Sequence, residues 1–155
     1  MDEFKRISGL LAELGRNLGF DDFDFDETDA CSLVFDGEIV HLCWREAPQV
    51  LVTWAIVGAV PDDPAREAEF CRRALAANFN GRDTEGLTLA TSAVEEMPAR
   101  HFVVQDRREP GFFATADDLE NYLGAVTRVV REFRSQLERG GSESNGLAAE
   151  TVITP

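Results

Sequence analysis

The sequence predicts an α+β fold: a helix, a three-strand antiparallel meander, a second helix, two more strands and a closing helix. Three observations lead there. Near both ends of the chain apolar residues recur every three or four positions, the mark of amphipathic helices. Between them lie short β-rich runs separated by turn signals. Strands and helices do not alternate strictly, so the order describes a mostly antiparallel sheet and not a parallel βαβ arrangement. At 155 residues, one domain is the natural expectation, and such a chain can bury about two thirds of its surface.

The elements follow in order. Phe4, Ile7, Leu11, Leu14 and Leu18 form one stripe, Leu10 widens it, and Gly19 stands where a helix would stop. FDFD (23–26) alternates with period two and reads as a short strand. CSLVF (31–35) and IVHLCW (39–44) flank Asp36-Gly37, a two-residue hairpin signal. The third strand runs from about Val50 to Val57. Asp63 then caps a helix that begins at Pro64 and stops near Asn80-Gly81. GLTLATS (86–92) and HFVVQD (101–106) read as two more strands. Thr115-Ala116-Asp117-Asp118 opens the last helix as a capping box with Asp in place of Glu. Leu119, Tyr122, Val126, Val129, Val130, Phe133 and Leu137 make its stripe, and Gly140-Gly141 ends it. A domain of residues 1–139 is expected, with 140–155 a small, polar, disordered tail.

Several functional classes are excluded at this level. The apolar run VLVTWAIVGAV (50–60) lies between Glu46 and Asp62 and is far shorter than the roughly 20 residues a membrane helix needs. The N-terminal MDEFKRISGLLAELG has acids where a secretory signal carries bases, so a soluble, cytoplasmic protein is expected. Cys31, Cys43 and Cys71 are odd in number and have no C-x-x-C spacing, which fits a reducing compartment and neither a disulfide framework nor a zinc site. The formal charge of −14 repels phosphate backbones and argues against nucleic-acid binding.

Catalytic and ligand patterns are equally poor. Asp22, Asp24 and Asp26 have the first spacings of a calcium loop, but Glu27 and Leu33 occupy the positions that need Gly and Glu. Gly81 and Gly86 have phosphate-loop spacing, yet Leu87 stands where the Lys belongs. His41 and Cys43 share one strand face without a third member, and His101 is isolated. No cofactor, no metal and no catalytic residue is expected.

What the chain has in surplus is apolar sheet. Side chains alternate across a strand. Val40, Leu42 and Trp44 oppose Ile39, His41 and Cys43; Val50, Val52, Trp54 and Ile56 oppose Leu51, Thr53, Ala55 and Val57. Both faces are apolar, whereas a solvated face shows polar alternation. Either the helices divide between the faces, or a second subunit or another chain covers one of them.

The pieces LLAELGRNLGF, CSLVFDGEIVHLCW, VLVTWAIVGAVP, ALAANFNGRDTEGLTLATS and DDLENYLGAVTRVVREFRSQL resemble, over about residues 2–138, the class I type III secretion chaperones of the Tir-chaperone-like family. Two positions depart from that pattern: Asp29 and Glu85 stand near turns where members often have Gly. The stretch SAVEEMPARHFVVQDRREPGFF matches poorly.

The resemblance implies a cytoplasmic homodimer that needs no nucleotide. It would bind an extended N-terminal segment of a secreted effector and keep it secretion-competent. The dimer contact would come from about residues 64–91, with Phe70, Ala74, Leu75, Asn78, Leu87 and Leu89 as its residues. The effector-binding groove would be built from the first helix and the meander: Leu10, Leu14, Val34, Leu42, Trp44, Val52 and Trp54. The acids between Asp21 and Glu38 would steer a basic client towards it. Two other readings compete. One is a regulatory or sensory domain of the same topology, as in the YbjN family. The other is a small hydrolase using His41 with nearby carboxylates.

Overall fold

The structure is a computed structural model and describes residues 2–92 and 99–149. Helix α1 spans Glu3–Asn17, and strands β1 (Ala30–Phe35), β2 (Glu38–Glu46) and β3 (Gln49–Ala59) form the meander. Helix α2 (Pro64–Asn80), strands β4 (Thr88–Ser92) and β5 (His101–Arg108), a short 3₁₀ turn at Pro110–Phe112 and helix α3 (Ala116–Ala149) complete the chain. The five strands form one antiparallel sheet in the order β1-β2-β3-β5-β4.

Local chemistry explains the element ends. Asp2 and Asp63 each cap a helix by accepting from the backbone N–H two residues on. At the start of α3 the Asp118 N–H donates to Thr115 Oγ1, and the Thr115 N–H donates back to Asp118 Oδ2 at 2.9 Å. This is the expected box with a shorter acid. Asp36 and Gly37 both have positive φ, the backbone a tight two-residue hairpin demands.

Two expected elements differ. FDFD (23–26) is extended but joins no strand. Its aromatics turn inward onto α1 instead: Phe25 stacks on Phe4 at 5.5 Å between centroids, and Phe23 lies against Gly15. A methyl group on Gly15 would meet Phe23 Cβ at 2.5 Å, so the close approach needs the glycine. The final helix does not stop at Gly140-Gly141; α3 runs on to Ala149. Residues 150–155 of the expected tail lie outside the described residues.

The two departures from the family's glycine pattern have a backbone explanation. Asp29 has φ +57° and Glu85 φ +50°. Both occupy the left-handed region, where a side chain costs about 1–2 kcal/mol, somewhat less for Asp. Arg128 reaches Glu85 with two hydrogen bonds of 3.0 and 3.2 Å, which offsets part of that strain.

All three helices pack on one face of the sheet. That face carries Leu33, Val40, Leu42, Trp44, Leu51, Ala55, Val57 and Val104, all buried. Register confirms that they align: Leu33 pairs with Val40, Trp44 with Leu51 and Ala55 with Val104. From above come Ile7, Leu11 and Leu14 of α1, Phe70 of α2, and Leu119, Leu123, Val126, Val130 and Phe133 of α3. Arg134 fastens the middle of α3. It makes a bidentate pair with Glu38 at 2.7 and 2.9 Å and donates to the carbonyls of Ile56 and Val57, where β3 is bulged.

Replacing Glu85 by Gly relieves the left-handed strain and loses an exposed ion pair worth about 0–1 kcal/mol. We expect Tm to rise by about 1–3 °C; a fall measured by calorimetry overturns this account. Residues 141–155 carry no apolar stripe. Deleting them is expected to move Tm by less than about 2 °C, and a larger drop would show that they pack on the body.

Candidate functional site: a bare sheet face and an exposed helix flank

The opposite face of the sheet has no helix on it among the described residues. Its strand positions are Ser32 and Val34 on β1, Ile39, His41 and Cys43 on β2, and Val50, Val52, Trp54 and Ile56 on β3. Val34 is 60% exposed and Ile39 57% exposed, and the two are cross-strand partners. In the middle, the His41 ring stacks on Trp54 with centroids 3.9 Å apart. Ser32 Oγ lies 2.7 Å from His41 Nδ1. Partial burial holds the His41 imidazole below its ordinary pKa, which favours the neutral ring.

The expected groove residues divide between the two faces. Val34, Val52 and Trp54 stand on the bare face. Leu14, Leu42 and Trp44 are core, with exposures of 0%, 1% and 4%. Trp44 lies under Phe4, and its indole N–H donates to Glu46 Oε2 at 2.8 Å. Leu10 is half-buried against the core from α1. The reason is parity: Trp44 and Trp54 lie on neighbouring strands, but Trp44 pairs with Leu51 and His41 with Trp54. The two tryptophans therefore face opposite ways.

The residues expected at the dimer contact divide too. Phe70, Ala74, Leu87 and Leu89 are buried in this chain. Asn78 serves the chain itself: its amide donates to the Leu89 carbonyl and accepts from the Leu89 N–H, at 2.9 and 2.8 Å. Leu75 is 69% exposed. Beside it stands Phe79 at 95% exposed, a residue the sequence reading missed. Four residues separate them, so they share a helix flank. This flank borders an open groove of about 270 Å³ lined by Cys71, Leu75, Asn78 and Thr91, among others.

Little here supports bond-breaking chemistry. Ser32 and His41 are in contact, but no Asp or Glu stands at a strand position of the bare face among the described residues. The nearby strand acids are engaged on the helix side: Glu38 with Arg134, Glu46 with Trp44, Asp106 with Tyr122. Burial pushes the Cys31 thiol up to about 12, so it stays protonated. Among the described residues no cluster of metal-ligating side chains occurs, and no helix is long and apolar enough to cross a membrane.

A helix-backed sheet with one apolar face left bare is the architecture of a protein that binds other chains. The chain belongs to the Tir chaperone protein (CesT) family, whose model matches residues 9–131. It is similar in fold to chains of several solved complexes. A chain of the ExsC–ExsE complex is 20% identical with a TM-score of 0.68, covering 88% of this chain and 97% of that one. A chain of the HopA1–SchA chaperone–effector complex is 17% identical with a TM-score of 0.63, covering 83% and 93%. The Yersinia pestis type III secretion chaperone SycH in complex with a fragment of YscM2 gives 17% and 0.54, covering 83% and 97%. No curated protein matches the sequence.

Proposed function

We propose that this protein is a homodimeric cytoplasmic chaperone that holds a segment of a secreted effector on its bare sheet face, keeping it competent for secretion. It works by binding and not by catalysis. The observation that carries the reading is the uncovered apolar face centred on Trp54 and His41, with Val34 and Ile39 exposed beside them. Burying side chains of this size contributes about 1.5–3 kcal/mol each. The similar fold in the HopA1–SchA chaperone–effector complex supports it, and family membership favours it over the regulatory alternative.

The sheet edges say how an extended client would enter. At the β4 edge, Asn78 already satisfies both backbone groups of Leu89. At the β1 edge, the Trp44 N–H bonds to the Asp29 carbonyl. By alternation Cys31, Leu33 and Phe35 point their backbone groups at β2, while those of Ser32 and Val34 face outward. A client strand can pair there, and the segment continuing from it can cross over the bare face. The second subunit would dock on the α2 flank of Leu75 and Phe79, away from that edge.

Sedimentation is expected to give about twice the 17.2 kDa chain mass. Leu75→Asp combined with Phe79→Asp should yield a folded monomer; a dimer that survives both charges moves the interface elsewhere. Calorimetric titration with the N-terminal segment of the secreted protein encoded beside this chain would test the face. Trp54→Ala should weaken binding by about 2 kcal/mol and leave the dimer intact. Trp44→Ala, a core truncation, should instead cost about 3–5 kcal/mol of stability. Undiminished client affinity in Trp54→Ala sinks the proposed face.

A further inference from the structure

The bare face has a charge pattern opposite to that of the molecule. The chain carries −14 overall, yet this face has no carboxylate at any strand position among the described residues. It has two exposed arginines instead, Arg45 on β2 and Arg107 on β5. Arg45 is the cross-strand partner of Val50, and Arg107 of Val52. The two guanidinium groups therefore flank the same end of β3. Neither makes an ion pair or a side-chain hydrogen bond to another described residue, while Arg6, Arg73, Arg100, Arg108, Arg128 and Arg134 all do.

The other end of the face is apolar, from Val34 and Ile39 to Ile56 and Val103. The His41–Trp54 stack lies between the two ends. Along the strands, the surface thus runs from aliphatic to aromatic to cationic.

The acids of the described strands and of the α1–β1 connection lie elsewhere. Asp24 bonds Ser8 of α1, and Asp26 accepts from Thr28 and Ala30 within the α1–β1 connection. Glu38 and Glu46 are held on the helix side by Arg134 and Trp44.

We infer that the bare face selects a client segment that is apolar along most of its length and carries carboxylates at the end lying over Val50 and Val52. Two guanidinium groups with no partner among the described residues can each take a carboxylate in the paired geometry arginine favours. A basic segment would place its ammonium groups against them, and like charges in contact exclude partners more strongly than area selects them. The inference rests on the docking face proposed above and adds the chemistry of its occupant. It also reverses the expectation, drawn from bulk charge, of a basic client at this site.

Two synthetic peptides test it. They share the same Leu, Ile and Val positions, and one ends in a run of Glu, the other in a run of Lys. Binding is read by fluorescence anisotropy at low salt, to the full-length protein and to three variants: Arg45→Glu with Arg107→Glu, Arg45→Ala with Arg107→Ala, and Trp54→Asp. The Glu peptide should bind about tenfold tighter than the Lys peptide. The alanine pair should remove that preference, the glutamate pair should reverse it, and Trp54→Asp should abolish binding of both. Both arginines are exposed, so unchanged melting and sedimentation should accompany their replacement. If both peptides bind, lose binding in Trp54→Asp, and show no Glu preference, the charge inference falls and the docking face stands. If neither binds, or Trp54→Asp has no effect, the docking face falls and takes the inference with it. If the arginine variants change the oligomeric state, the face is a contact between copies of this chain and the inference is wrong.

Discussion

Helix α3 lying across one face of the sheet is the constraint on which the rest of the molecule depends. Its stripe from Leu119 to Phe133 is buried against β2, β3 and β5, and its middle is tied to the hairpin by Arg134 and Glu38. Arg131 adds a hydrogen bond to the Asp36 carbonyl. Helix α1 packs against α3, and Arg6 binds the carbonyls of Pro110 and Phe113 just ahead of it. With α2 also placed on this side through Phe70, which meets both Phe102 and Phe133, every described helix is committed to one layer. The opposite face carries none of them.

The same commitment settles the edges. A five-stranded antiparallel sheet has two, and unpaired edges invite other chains. This molecule closes one with the side chain of Asn78 and leaves the outward groups of Ser32 and Val34 on the other. The asymmetry separates two kinds of association. A partner on the α2 flank meets side chains such as Leu75 and Phe79, whereas a strand arriving at β1 meets open backbone. A chaperone that must hold an unfolded segment benefits from the second kind. Main-chain pairing is indifferent to most of a client's sequence, and on the proposed reading the bare face would supply the selectivity.

Much of this was legible in the sequence. The stripes of α1 and α3 and the Asp63-Pro64 start of α2 are local signals, and so is the Asp36-Gly37 turn. All appear where their chemistry places them. Apolar residues stand on both strand faces, as the alternation indicates, and the described helices cover one of them. What sequence could not supply is register. Trp44 and Trp54 are equivalent as an apolar pattern, and only the pairing of Trp44 with Leu51 puts one in the core and the other in the open. FDFD alternates like a strand, yet with no partner for its backbone its phenylalanines are better used against α1. Phe79 was hidden because it sits near a helix end, where an aromatic reads as a terminal contact and not as a surface anchor. Gly140-Gly141 reads as a stop because glycine costs about 1 kcal/mol per position in a helix, a cost α3 bears in continuing to Ala149.

The charge of the whole chain and the charge of the bare face differ. A formal −14 invites the expectation of a basic partner, and as a statement about long-range steering it holds for the molecule as a whole. Contact is decided over shorter distances, since about 10 Å of salty water screens an exposed charge at ordinary ionic strength. The acids of the α1–β1 connection are tied to that connection and to α1 by local hydrogen bonds. The strand residues a client would touch on this face are apolar, neutral polar or basic, and none among the described residues is acidic. A protein can therefore be strongly acidic for solubility and still present a neutral-to-positive binding face. Here the alternation of strand side chains produces that separation: the same pleat that turns Glu38, Glu46 and Asp106 towards the helices turns Arg45 and Arg107 away from them.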